Sequence, residues 1–488
     1  MKRIACLLFL LSLLLIACSG RTPEDERQPT IPLTACRLSG GVDAQCGQLL
    51  VYEDRAAAAG RQISLNIAVL PATGSSNVVA DDPLFLLAGG PGQAATETYP
   101  LAASLFADVN RNRDIVLVDQ RGTGESNGLN CAVLEDETLP ADLPDDEQIA
   151  LLDQCRLDLG ERADLSLYTT DAFAADLDDV RAALDYDTIN LYGASYGTRA
   201  ALTYMRRFPE RVRSVVLDSV VGPELVLFLQ MPQDGQRALD LLFDRCAADD
   251  ACNEAFPNFR AEYEAVLARL ATPQPVTVAD PLSNKPLAFQ LDRDFLSQLV
   301  FNSLYSAEFQ GLLPLLIHHA YETGDYAPLI VQGLAITSSA SLYPGLLYAV
   351  TCSEDAPLID PAEAESIRAG TSFGDFAARF QTICANWPRA DIAADFRDPL
   401  QSDIPTLLLS GGADPVTPPE YAAQVAAGLS NSRHIIVPGF GHGVIGLGCM
   451  PSLVAEFVRA TDPAALDATC LDVLQPPPFF VSFAGPQP

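Results

Sequence analysis

Apolar and polar positions along this chain follow two different rhythms. Short, nearly unbroken apolar runs occur at Gln48–Tyr52, Ile63–Leu70, Leu84–Ala88, Ile115–Val118, Thr188–Tyr192 and Val212–Leu217. Each is too short for a core helix and rich in Val, Ile and Leu, as strands buried on both faces are. Intervening segments such as Ala172–Leu184 carry apolar residues near helical spacing, with acidic residues on the opposite side. The alternation predicts an α/β class: a mostly parallel sheet with helices on both faces. After Gly222-Pro223 the strand-like runs stop, and they resume only at Ile404–Leu409 and His434–Val437. Neither end section could complete a sheet alone. A sheet domain split into residues 36–223 and 399–475, interrupted by a helical cap at 224–398, accounts for both. Residues 476–488 are Pro-rich and are expected to run extended over the surface.

The N-terminus has a pattern of its own. Met1-Lys2-Arg3 precedes the apolar run Ile4–Ile16 and then Ala17-Cys18. A basic start, a short apolar stretch and small residues describe an export signal, too short for a comfortable membrane span. Leu15-Ile16-Ala17-Cys18 resembles the lipobox of bacterial lipoproteins, which implies loss of residues 1–17 and lipidation of Cys18. Ser19 after that cysteine implies the outer membrane in a Gram-negative host. Ordinary cleavage after Ala17, leaving a periplasmic or secreted protein, and a marginal anchor helix are the alternatives. Residues 18–35 read as a flexible tether.

Composition narrows the partners. The chain has 488 residues, 63 of them acidic and 30 basic, for a net charge of −33. That surface lacks the cationic face that phosphate contacts require, so no nucleic-acid partner is expected. Membrane association would have to come from the lipid. Of twelve cysteines, Cys6 lies in the signal and Cys18 is the lipidation candidate. The other ten fall in neighbouring pairs: Cys36 with Cys46, Cys131 with Cys155, Cys246 with Cys252, Cys352 with Cys384, and Cys449 with Cys470. In an exported chain five local disulfides are the economical expectation, although sequence does not determine connectivity. No pair has metal-type CxxC spacing, and only four histidines exist, so no metal is expected.

The chemistry concentrates in one motif. The run Ile189–Tyr192 leads into Gly193-Ala194-Ser195-Tyr196-Gly197, with a helix-like segment from Arg199 to Phe208. Gly-x-Ser-x-Gly between a strand and a helix is a sharp turn that lifts a serine hydroxyl to the helix N-terminus. Ser195 is thus the candidate nucleophile and needs a base with an orienting acid. His318 and His319 lie in an apolar helical stretch of the cap and read as packing residues, and His434 begins a strand. His442 sits in the Gly-rich loop after that strand and is the candidate base. Asp414, after the preceding strand, is the candidate acid, and Asp218 is its rival. For the oxyanion, the loop Gly89-Gly90-Pro91-Gly92 supplies the amide of Gly90, with Gly89 as second choice, alongside the amide of Tyr196. No cofactor is required.

Together Gly89-Gly90-Pro91-Gly92, Asp119-Gln120-Arg121-Gly122-Thr123-Gly124-Glu125-Ser126 and Gly193–Gly197 resemble the α/β-hydrolase family of proline iminopeptidases and tripeptidyl aminopeptidases. The block around Asp414 and His442 is similar to that family's C-terminal region, and Ser195, Asp414, His442 follow its triad order. Ala88 departs from it, standing where many relatives carry His. The resemblance implies an α/β-hydrolase fold and a serine peptidase that cleaves peptides from a free N-terminus. It further implies acidic cap residues that hold the substrate ammonium, for which Glu354 and then Asp355, in Cys352-Ser353-Glu354-Asp355, are the candidates. A carboxylesterase of the same fold acting on small esters is the alternative, and a non-catalytic binding protein a remote one.

Overall fold

The computed structural model describes residues 30–74, 79–134, 145–280, 283–337, 342–374 and 376–486. The signal and Cys18 lie outside them. Strands β1 (Thr34–Arg37), β2 (Asp43–Tyr52), β3 (Gln62–Leu70), β4 (Leu84–Leu87), β5 (Ile115–Val118), β6 (Ile189–Ala194) and β7 (Val212–Asp218) form the first part of the sheet. After a hairpin of β8 (Gln274–Ala279) and β9 (Pro286–Leu291), the sheet is completed by β10 (Thr406–Gly411) and β11 (Ser432–Val437). Its order is β1-β2-β3-β5-β4-β6-β7-β10-β11. The pairings from β1 to β5 are antiparallel, and those from β5 through β4 to β11 are parallel.

Successive side chains on the central strands enter opposite cores, as a period of two requires. Phe85, Leu87, Val116, Leu191, Val215 and Leu408 pack on one face against the helices Thr170–Ala183 and Tyr196–Arg207. Leu84, Leu86, Leu117, Tyr192, Val216 and Leu409 pack on the other, against Tyr99, Phe106 and the helix Met450–Ala460. Coverage on both faces is why these strands read as unbroken apolar runs.

Between β7 and β10 the cap holds its own core, around Leu239, Phe243, Tyr263, Phe301 and Ile330. A further cluster joins Leu346, Val350 and Phe380 to Leu129, Leu152 and Tyr196 of the sheet domain. All ten expected cysteines are disulfide-bonded, each to its near neighbour, with Cα–Cα distances of 5.1–6.4 Å. Cys36 bonds Cys46 across the antiparallel pair β1–β2, and Cys246 bonds Cys252 between consecutive cap helices. Cys449 bonds Cys470, tying the start of the helix Met450–Ala460 to the segment that follows it. Cys131 bonds Cys155 and Cys352 bonds Cys384, and both of these bonds lie inside the cluster shared by cap and sheet domain.

Three sequence expectations need correction. The cap is not wholly helical: Pro275–Val278 alternates into the solvent-facing hairpin β8–β9, where Val278, Phe289 and Leu291 supply the buried positions. Of the expected tether, residues 30–35 lie among the described residues and pack against the sheet domain. Ile31 enters the core, and the Thr30 amide donates to the Ala183 carbonyl at 2.8 Å. The C-terminal tail is pinned rather than draped. Phe479 is buried in the cap, and the Phe480 amide donates to the Gly311 carbonyl.

Candidate active site

Each candidate group follows the C-terminal end of a parallel strand, the edge where open α/β sheets present their chemistry. Ser195 links β6 to the helix Tyr196–Arg207 at φ 55°, ψ −125°. A non-glycine residue with positive φ carries backbone strain. The flanking glycines are obligatory. A Cβ on Gly193 would collide with the Gly197 carbonyl oxygen, and one on Gly197 with that of Leu87. The Ser195 amide donates to the Asp218 carbonyl (2.9 Å), and its own carbonyl accepts from Thr198 Oγ1 (2.6 Å). The turn is thus locked from both sides.

β10 runs into Gly411–Thr417 and β11 into Pro438–Gly443. These loops touch so closely that a Cβ on Gly411 would overlap the Gly441 carbonyl. Asp414 is fully buried. Its Oδ1 accepts the amides of Val416 (2.9 Å) and Thr417 (2.8 Å), and its Oδ2 accepts Thr417 Oγ1 (2.8 Å). Oδ2 also lies 2.8 Å from His442 Nδ1. Burial opposes the Asp414 charge, yet His442 and the amides of Thr417 and Val416 hold its pKa below the usual carboxylate value. Because the carboxylate only accepts, Nδ1 carries the ring proton and Nε2 is left as the basic nitrogen. Burial disfavours the imidazolium, but Asp414, and then Asp218, raise the His442 pKa above its ordinary value.

The oxyanion loop follows β4 and lies against the nucleophile, since a Cβ on Gly89 would come within 3.2 Å of Ser195 Cβ. The Gly89 amide donates to Gln93 Oε1 at 3.1 Å. Tyr196 opens the helix after Ser195, so its amide points out of the helix N-terminus. Its phenol is tied behind the site to Thr170 Oγ1 (2.7 Å) and Gln120 Nε2 (3.1 Å).

Glu354 and Asp355 are not where an ammonium could reach them. Neither side chain has any solvent exposure. Glu354 accepts from the Thr170 amide (2.7 Å) and hydroxyl (2.9 Å). Asp355 accepts from Arg199 (3.0 and 3.2 Å), Arg397 (2.8 Å) and the Leu227 amide (3.0 Å). Burial, ahead of every other influence, pushes the Glu354 pKa up to about 7. The expected ammonium anchor is instead a sealed polar cluster joining the cap to the nucleophile helix. Arg199, from the first turn of that helix, supplies the cation that pairs with Asp355.

The remaining histidines lie away from this chemistry: His318 faces Glu262, His319 faces Asp325, and His434 meets Ser410 Oγ. Sequence reasoning missed Thr417, Gln93 and Tyr305. Thr417 follows Asp414 by three residues, a spacing at which hydroxyls often back-bond to an Asp. Tyr305 lies in the cap with its ring edge-on to His442 at a centroid distance of 5.2 Å, and no local pattern marks it.

Residues 82–307 match the family described as alpha/beta hydrolase fold, and residues 370–470 match the family described as TAP-like protein. The serine protease Hip1 of Mycobacterium tuberculosis is 26% identical over 480 residues, covering 90% of both chains. The tripeptidyl aminopeptidase of Streptomyces coelicolor is 26% identical over 475 residues, 89% of this chain and 84% of its own. Among solved structures, a proline iminopeptidase of Mycobacterium smegmatis is 17% identical, covering 86% of this chain and 99% of its own at a TM-score of 0.42.

Proposed function

We propose that the chain, whose residues 82–307 match the alpha/beta hydrolase fold family and residues 370–470 the TAP-like family, is a serine aminopeptidase acting on peptides with a free N-terminus. The observation that carries the chemistry is the strained Ser195 turn after β6, with His442 after β11 backed by the buried Asp414 after β10. Peptide substrates are supported by the likeness to a serine protease and a tripeptidyl aminopeptidase over nine-tenths of the chain.

In this reading Ser195 Oγ attacks the scissile carbonyl while His442 Nε2 takes its proton. The negative charge gathers on the carbonyl oxygen, held by the amides of Gly90 and Tyr196. His442 returns the proton to the leaving amine, and the C–N bond breaks. Water, deprotonated by His442, then releases the acyl group from Ser195. Export and anchoring through Cys18 belong to the same reading and rest on Leu15-Ile16-Ala17-Cys18. No helix among the described residues is long and apolar enough to cross a membrane.

The test is a matched panel of chromogenic peptides, each free or blocked at its N-terminus, with simple esters beside them. Cleavage confined to the free peptides is expected. Equal cleavage of blocked peptides removes the exopeptidase assignment, and turnover of esters alone favours a carboxylesterase.

A further inference from the structure

Asp218 stands at the end of β7, beside both the nucleophile and the base, without touching the reacting atoms. Its main-chain carbonyl accepts the Ser195 amide at 2.9 Å. Its carboxylate reaches the other way. Oδ1 accepts the Val444 amide at 3.0 Å, and Oδ2 accepts the Ile445 amide (3.0 Å) and the Tyr192 hydroxyl (2.9 Å). The next residue adds a second peg, since Ser219 Oγ accepts the Gly443 amide at 2.8 Å. Three consecutive amides after His442 therefore end on two consecutive side chains at the end of β7. The Ser219 amide in turn donates to the Leu409 carbonyl of β10, which ties the pegs to the strand that leads to Asp414.

We propose that Asp218 is a positioning residue that sets the nucleophile against the base, its main chain holding Ser195 and its carboxylate holding the segment that carries His442. The inference rests on the triad reading above. Burial raises the Asp218 pKa, while the Val444 and Ile445 amides and the Tyr192 hydroxyl all donate to the carboxylate and favour its ionised form. A loop of glycines, Gly439 to Gly443, has little stiffness of its own. Three amides anchored in a row replace that missing stiffness where an error of about 1 Å costs on the order of 100-fold in rate.

The charge has a second effect. The groups facing His442 are Asp414 and Thr417 from the acid loop, Tyr305 from the cap and Asp218 from β7. Asp218 itself is faced by Tyr192, Tyr99 and His442. Removing the Asp218 charge destabilises the imidazolium, so His442 stays neutral to lower pH.

The experiment compares Asp218→Asn and Ser219→Ala with the parent, using fluorophosphonate titration of active sites, kcat and KM, and the pH profile of kcat/KM. Expected for D218N is a kcat per titrated site lower by about 10- to 100-fold, with KM within about twofold. Its acid limb moves to lower pH. S219A, which loses a peg but no charge, shows a smaller kcat loss with the acid limb unmoved. Parent-like kcat and pH profile in D218N overturn the proposal, as does a loss that only mirrors fewer titratable sites. Should D218N fail to fold, S219A decides: parent-like kcat per site overturns it, and a loss with the limb unmoved supports it. A parent that takes no label at Ser195 sinks the triad reading, and this inference with it.

Discussion

The backbone amide of His442 donates to the carbonyl of Tyr305, 2.8 Å away, so the candidate base is held by the cap as well as by its own strand. The same arrangement recurs at the other catalytic segments. The Tyr343 amide donates to the Gly92 carbonyl of the oxyanion loop (2.8 Å), and Arg237 donates to the Gly412 carbonyl of the acid loop (3.0 Å). Arg199 of the nucleophile helix binds Asp355. A cap bond to each of these candidate segments makes the cap a brace for the site.

Tyr305→Ala removes the ring packed edge-on to His442 and leaves the carbonyl in place. Steady-state kinetics should show kcat/KM lower by about tenfold, with secondary structure unchanged by circular dichroism. An unaffected rate would mean that the Tyr305 ring does not steady the base.

The pH profile follows from the imidazole. The base must be neutral, and Asp414 and Asp218 raise its pKa above the ordinary value, so kcat/KM should fall on acidification at a pH above about 6.5. Asp414→Asn should lower kcat by on the order of 10⁴-fold and shift that limb downward. A limb that stays in place in D414N would separate it from His442.

Glu354→Gln separates a sealed structural acid from a substrate ligand. The ratio of free to blocked peptide turnover should be unchanged, because the side chain is enclosed. Its folded-state pKa is raised to about 7, so the stability linked to its proton is complete below the ordinary carboxylate value and lost as pH rises through about 7. Thermal midpoints measured from about pH 5 to pH 8 should therefore fall less in E354Q than in the parent. A selective loss of free-peptide turnover would restore the ammonium role.

Arg199→Met leaves Glu354 and Asp355 buried beside a lost partner. Urea denaturation should show destabilisation by about 3–5 kcal/mol, the range for breaking a buried ion pair. A loss below about 1 kcal/mol would show that Arg397 and the backbone amides carry the cluster without it.

Gln93→Ala frees the Gly89 amide and loosens the oxyanion loop. The expected result is a kcat lower by about tenfold with KM little changed, since the oxyanion charge develops only in the transition state. An equal rise in KM would assign Gln93 to substrate binding instead.

Much of the sheet was legible because its strands are covered on both faces. β5 matches its apolar run residue for residue, and β4, β6 and β7 differ from theirs by only one or two residues at an end. The hairpin β8–β9 was not, because its face is half solvent-exposed and its alternation is short. The tail was misread because Pro-rich composition says nothing of Phe479, whose place depends on the apolar cluster of the cap. Glu354 and Asp355 read from sequence as ammonium ligands, because their partners Thr170 and Arg199 lie more than 150 residues away along the chain.

What the sequence determined by itself was whatever local chemistry demands. It set the strand-turn-helix around Ser195, the glycines that permit it and the loops that carry Asp414 and His442, and it put cysteines such as Cys36 and Cys46 near one another along the chain without fixing their partners. Backbone sterics and short-range periodicity act within about a dozen residues, so they can be read in one dimension. Only the tertiary structure decided which acid faces the imidazole and which braces its loop. It also decided that the Gly89 amide meets Gln93 and that the buried Asp355 meets an arginine. Those outcomes turn on distances of a few ångströms between segments far apart along the chain. They depend on how two cores and a cap pack, which no local pattern encodes.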